Sequence, residues 1–311
     1  MSDKSKLGDK EHKQLINACK IGDIEFVRKM TDTETTRANV YYKLSLDLNA
    51  SYHITTASEH GHSEIVKYLI DYEIKNMNTL SECLRTIIFT NVCENGHLEI
   101  VKYLIELGEN GYGKINIHWH NEEPFVSACE KGHFDVVKYL IELGENGYEK
   151  INIQTGSSFF SAITNGHDEI ALYLIELGEN EETGYGMVNI HYWNDKAFQY
   201  ACLNENIQIM KLLWKLCENG YGKIRQIRLN DIYYYMCQRG KLNAVKFLIE
   251  NDVYHGTKRS LLFKSKARGF RSACHYKQIE LVEWMCSIEP SFHIVYVHEN
   301  GKIIYEVDEL I

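Results

Sequence analysis

The chain has 311 residues, 44% of them apolar and 25% charged, the balance of a soluble folded protein and not of a disordered or membrane-embedded one. Its net charge of −9 gives no overall reason to expect nucleic acid or an anionic membrane as partner. The polar start Met1-Ser2-Asp3-Lys4-Ser5-Lys6 lacks the hydrophobic stretch of a secretory signal, and the apolar runs fall short of the roughly 20 residues that cross a bilayer. A soluble, intracellular, non-secreted protein is expected.

Residues 1–12 read as a flexible polar N-terminus. From residue 13 to 288 one short passage recurs. Gly96-His97-Leu98-Glu99-Ile100-Val101-Lys102-Tyr103-Leu104-Ile105-Glu106-Leu107-Gly108 returns as Gly132-His133-Phe134-Asp135-Val136-Val137-Lys138-Tyr139-Leu140-Ile141-Glu142-Leu143-Gly144, and again from Gly166 to Gly178. Earlier copies begin at Gly22 and Gly61, and worn later ones at Glu205, Gly240 and Lys277. The spacing is 34 to 39 residues throughout. A fixed period of that size predicts a solenoid of eight units, each burying its apolar face against its neighbours.

Within one unit, Phe125, Val126, Ala128 and Cys129 predict a short apolar helix that Lys131-Gly132 breaks, because glycine takes the left-handed backbone that ends helices. A second helix starts near His133. Asp23 and Asn206 occupy the same slot in other copies, which marks it as an N-cap. Val136, Val137, Leu140 and Ile141 make one apolar face, with Lys138 and Glu142 on a solvated edge. After Gly144 comes a polar turn, then Ile151-Asn152-Ile153 as an extended stretch. Residues 31–50 and 71–86 read as long irregular linkers. At the far end, residues 289–311 predict a hairpin cap: β-rich runs flank Asn300-Gly301, with Tyr296 facing Tyr305 and Val297 facing Ile304.

Cys19, Cys93, Cys129, Cys202, Cys237 and Cys274 each stand three residues before a copy begins. One residue type at one helical position in successive units predicts a row of small apolar side chains in the core, not disulfides or zinc ligands. Four histidines (His62, His97, His133, His167) are slot residues a whole repeat apart, too far from one another to share a metal. His118 and His120 flank Trp119, but no Cys or carboxylate set completes a site. Gly108-Glu109-Asn110-Gly111-Tyr112-Gly113-Lys114 has phosphate-loop spacing, yet it follows a helix and Ile115 stands where a hydroxyl should be. No catalytic residue, metal or cofactor is expected, and no small-molecule substrate.

The passage Gly-His-x-Glu-Ile-Val-Lys-Tyr-Leu-Ile-Glu-Leu-Gly, followed by Ile-Asn-Ile, resembles the second helix and connecting loop of ankyrin repeats. The inserted Gly-Glu-Asn-Gly-Tyr-Gly-Lys turn resembles the large ankyrin families of giant DNA viruses. The resemblance implies an all-α solenoid that acts as a non-enzymatic protein-interaction scaffold, meeting a folded partner at loop tips and at the concave face of the first helices. It points to the loop aromatics Tyr112, Trp119, His120, Tyr148, Tyr185, Tyr192, Trp193 and Tyr221, residue types that dominate interface hot spots. Two alternatives stand beside it: an adaptor for ubiquitin ligase machinery, and a binder of an anionic partner or nucleic acid through the basic residues Lys258, Arg259, Lys264, Lys266, Arg268 and Arg271. A monomer is expected, with no membrane partner.

Overall fold

The computed structural model describes residues 2–32, 50–77, 81–222, 224, 226–251, 266–289, 291–297 and 303–307. Its helices come in pairs, one pair per sequence copy. The pairs are α1 (Ser2–Ile21) with α2 (Ile24–Asp32), α3 (Ala50–Glu59) with α4 (Ser63–Met77), and α5 (Glu82–Glu94) with α6 (Leu98–Leu107). Next come α7 (Trp119–Lys131) with α8 (Phe134–Glu145) and α9 (Ser157–Thr164) with α10 (Asp168–Glu179). The last three are α11 (Tyr192–Leu203) with α12 (Ile207–Glu218), α13 (Gln226–Arg239) with α14 (Leu242–Glu250), and α15 (Lys266–His275) with α16 (Ile279–Ile288). The expected all-α repeat array is therefore present.

The chain divides into two compact units. The first, Met1–Ile153 with Ser157–Gly186, holds α1 to α10; the second, Gln154–Gly156 with Met187–Ile311, holds α11 to α16 and two strands. Inside each unit, first helices pack on first helices and second helices on second helices. Within a unit the first helix of one pair thus meets the first helix of the next.

The break inside each pair has one backbone solution. The residue after the first helix takes a left-handed conformation, as Gly132 does at φ 83, ψ 21. The next amide then bonds back to a carbonyl five residues earlier: His133 to Ala128, His167 to Ala162, Asn206 to Ala201, Gln278 to Ala273. This is the helix-ending pattern that satisfies orphan carbonyls. At Glu205 and Lys277 the same turn persists without glycine, at φ 53 and 62, a conformation unfavourable by about 1–2 kcal/mol for a residue with a Cβ. The packing of the pair outweighs that penalty.

The six recurrent cysteines are buried as expected. Burial pushes the thiols of Cys19, Cys237 and Cys274 up to about 12, so they are neutral apolar filling. On α8, Val136, Val137, Leu140 and Ile141 are buried, each worth about 1.5–3 kcal/mol relative to exposure.

Three expectations need correction. Helix α1 begins at Ser2, so the polar start belongs to the first helix. Residues 71–86 are not an irregular linker: α4 runs to Met77 and α5 starts at Glu82, where Ser81 caps it by accepting the Leu84 amide. Of the other supposed linker, 33–49 lie outside the described residues. The third concerns β1 (Phe292–Val297) and β2 (Ile303–Val307), which pair antiparallel but out of the expected register. Tyr296 faces Ile304 and Val297 faces Ile303; beyond an irregularity between Ile294 and Tyr296, Ile294 faces Tyr305. Packing on the last repeat sets this pairing. Phe292 stacks on Phe270 of α15 at 4.4 Å between ring centroids, and Tyr305 meets the same ring edge-on at 5.6 Å. Residues 298–302, with Asn300-Gly301, lie outside the described residues.

Candidate interaction surface

The histidines of the repeat slot are positioned by the turn just described. His97, His133 and His167 stand at the N-cap of their helices, yet none caps with its side chain. Their rings turn toward the preceding repeat instead. The Nε2 of His62 donates to the Lys20 carbonyl at 3.0 Å, that of His97 to Glu59 at 3.2 Å, and that of His167 to Glu130 at 2.9 Å. Gln278 does the same with its amide, to Gln238 at 2.9 Å. Each ring fills the place that a Cβ on the preceding turn glycine would take, so Gly132 is needed both for its backbone and for the room it leaves His167. Asp23 and Asn206, by contrast, do cap, accepting the amides of Phe26 and Ile209. The sequence identified the slot but not the ring's inter-repeat bond.

A second cross-repeat link organises the inserted turns. Lys114 sends Nζ to the Gly147 carbonyl at 3.4 Å and lies 4.2 Å from the centre of the Tyr148 ring. Lys150 repeats the move one copy on, with Nζ 2.6 Å from the Thr183 carbonyl and 5.3 Å from the Tyr185 ring. The turn with phosphate-loop spacing is thus a clasp whose lysine is committed to the next turn. Tyrosine and lysine within it serve each other.

This sorts the loop aromatics. Tyr185 is no loop tip: it is 4% exposed, and its hydroxyl donates to the Ile141 carbonyl at 3.0 Å. Burial beside Glu145 pushes its phenol up to about 12. Tyr148 is half-buried in its clasp, and Tyr221 is half-buried as well. Trp119, His120 and Trp193 are exposed and Tyr192 is half-buried, and the four form two stacked pairs. Trp119 lies against His120 with ring centroids 4.7 Å apart, and Tyr192 against Trp193 at 5.8 Å. Trp119 is 37% and Trp193 66% exposed. Tyr112 is exposed as well, its carbonyl held by Arg85 at 3.2 Å.

Both pairs sit in the same unusual turn. His120, Asn121 and Glu122 are all left-handed, and so are Trp193, Asn194 and Asp195. Three such residues in succession oppose the chain by roughly 3–6 kcal/mol, at about 1–2 kcal/mol each. A buried carboxylate closes each turn. Glu122 faces His118 Nδ1 at 2.9 Å and also accepts the Asn152 amide at 3.1 Å, while Asp195 pairs with His191 Nδ1. The recurring order His-aromatic-x-Asn-acid was the available signal for this closure. The paired histidines noted around Trp119 are explained by it: His118 takes Glu122, and His120 stacks on Trp119.

Of the basic segment, Lys258, Arg259 and Lys264 lie outside the described residues. On α15, Arg268 and Arg271 are exposed and Lys266 is half-buried, with the Arg268 guanidinium 4.6 Å from the Tyr234 ring.

Paired helices joined by a left-handed turn, with slot side chains in four of the repeats bonded to a carbonyl of the repeat before, define an all-α repeat solenoid. The chain belongs to the ankyrin-repeat family: the family model for ankyrin repeats matches residues 15–114, 54–154 and 91–184, more than half of its length. No curated protein matches the sequence. Ankyrin repeats are in general protein-interaction modules, and among the described residues no helix is long and apolar enough to cross a membrane.

Proposed function

We propose that the protein is a non-enzymatic scaffold that docks folded protein through an aromatic tip in each unit, Trp119–His120 in the first and Tyr192–Trp193 in the second, each with the adjoining faces of the first helices of its own unit. The observation that carries this reading is the exposure of both tryptophans on turns held in an unfavourable backbone conformation. Rigid, exposed Trp supplies contact area with little entropy to lose, and a turn strained before binding is preorganised for it. Neither tip is buried against its own unit in the way Tyr185 is.

The charge around the first tip favours a basic protein surface over nucleic acid. The connecting segments 106–123, 142–153 and 176–186 hold eleven carboxylates against two lysines, and both lysines are committed to the clasps. Phosphate would be repelled there. For the C-terminal strands, stacking of Phe292 and Tyr305 on Phe270 supports a capping role over an adaptor segment.

Affinity purification from the native cell tests the proposal, with the wild type beside Trp119→Ala and Trp193→Ala. A protein recovered by the wild type and lost, by tenfold or more, with either variant is the expected result. Unchanged recovery with both variants would refute docking at the tips.

A further inference from the structure

The two tips differ in one respect that sets their behaviour with pH. In the first, His118 directs Nδ1 at Glu122, and its Nε2 has no hydrogen-bond partner among the described residues. That arrangement calls on one ring N–H, at Nδ1. In the second, both ring nitrogens of His191 face acceptors. Nδ1 meets the Asp195 carboxylate, and Nε2 lies 3.0 Å from the Tyr221 carbonyl. A neutral ring has one N–H and can serve only one of them; the imidazolium serves both.

We propose that protonation of His191 latches the Tyr192–Trp193 tip, tying the left-handed turn to the segment after α12 and holding Trp193 in its presented position. Asp195 is the charged group facing the ring from its own turn. From the described part of the segment after α12, the backbone of Tyr221 and Gly222 faces the ring, and Cys217 at the end of α12 stays neutral, its thiol pushed up to about 11. The Asp195 hydrogen bond is the largest influence on His191 and raises it above the usual histidine value, outweighing burial. The sign follows. A raised histidine contributes stability that is complete below its unfolded value, about 6.5, and is lost as pH climbs through the folded value. The latch is closed in mildly acidic solution and opens toward alkaline pH. Its consequence for a partner rests on the docking function proposed above; the latch itself does not.

The test uses the full chain labelled with 5-fluorotryptophan, whose four tryptophans give separate fluorine NMR resonances assigned by Trp193→Phe and Trp119→Phe. Between about pH 5.5 and about pH 8.5 the Trp193 resonance is expected to titrate with one midpoint above the ordinary histidine value. His191→Gln should flatten it, and Asp195→Asn should move the midpoint to lower pH. A flat Trp193 resonance in the wild type, or a titration that survives His191→Gln, overturns the latch. A midpoint shared with Trp119 also overturns it, since that would mark a global change. Should His191→Gln fail to fold, Asp195→Asn decides: an unmoved midpoint refutes. Failure of docking reads differently, as unchanged partner recovery with Trp193→Ala beside a normal titration.

Discussion

Replacing Gly132 by alanine tests the link between turn and cap. Two separate penalties are expected. The backbone there has φ 83 and ψ 21, which a residue with a Cβ adopts at about 1–2 kcal/mol. The new Cβ would also stand 2.5 Å from Cε1 and Nδ1 of His167, so the ring must move and release its bond to the Glu130 carbonyl. That bond is worth about 0.5–1.5 kcal/mol, for a total of about 1.5–3.5 kcal/mol. Gly166 is the control. It has φ 80 and nothing within 4 Å of an added Cβ, so Gly166→Ala should lose only the backbone share. His167→Ala alone should lose about 1 kcal/mol, and the double variant should be scarcely worse than Gly132→Ala, because the bond can be lost only once. Urea denaturation followed by circular dichroism measures all four. Full additivity of Gly132→Ala and His167→Ala, or equal losses at Gly132 and Gly166, would refute the reasoning.

Two further outcomes are expected. An aromatic disulfide reagent at neutral pH should label Cys83 at once and Cys286 more slowly, leaving the seven buried cysteines until the chain unfolds; rapid labelling of three or more would contradict the cysteine row. Phe292→Ala should remove the ring stacked on Phe270, destabilising the last pair by about 3 kcal/mol. Hydrogen exchange in α15 and α16 reads this, and unchanged protection would deny the strands their covering role.

What could be read from the residues was whatever one repeat decides for itself. Gly132 after an apolar run, Cys129 three residues before it, and the apolar face of Val136 to Ile141 all act within a single unit, and a period makes them visible eight times. What escaped reading was contact between units. Nothing in the tyrosine of Gly-Tyr-Gly says that Lys150 reaches the next turn, or that Tyr185 points inward at Ile141; both depend on how far one loop lies from another. The hairpin register failed for a related reason. Asn300-Gly301 speaks for a two-residue turn locally, while Phe270, remote in sequence, draws Phe292 and Tyr305 into a different pairing. Residues 71–77 misled because a helix one turn longer than its neighbours breaks the period.

The slot bonds all run one way, from a residue in one repeat back to a carbonyl in the repeat before it: His62 to Lys20, His97 to Glu59, His167 to Glu130. A newly made brick therefore stays unsealed until its successor leaves the ribosome. At about 5–20 residues per second, a copy of some 36 residues arrives roughly 2–7 s behind the last. Where these bonds occur within a unit, the growing array should close like a zip whose slider trails translation by one tooth.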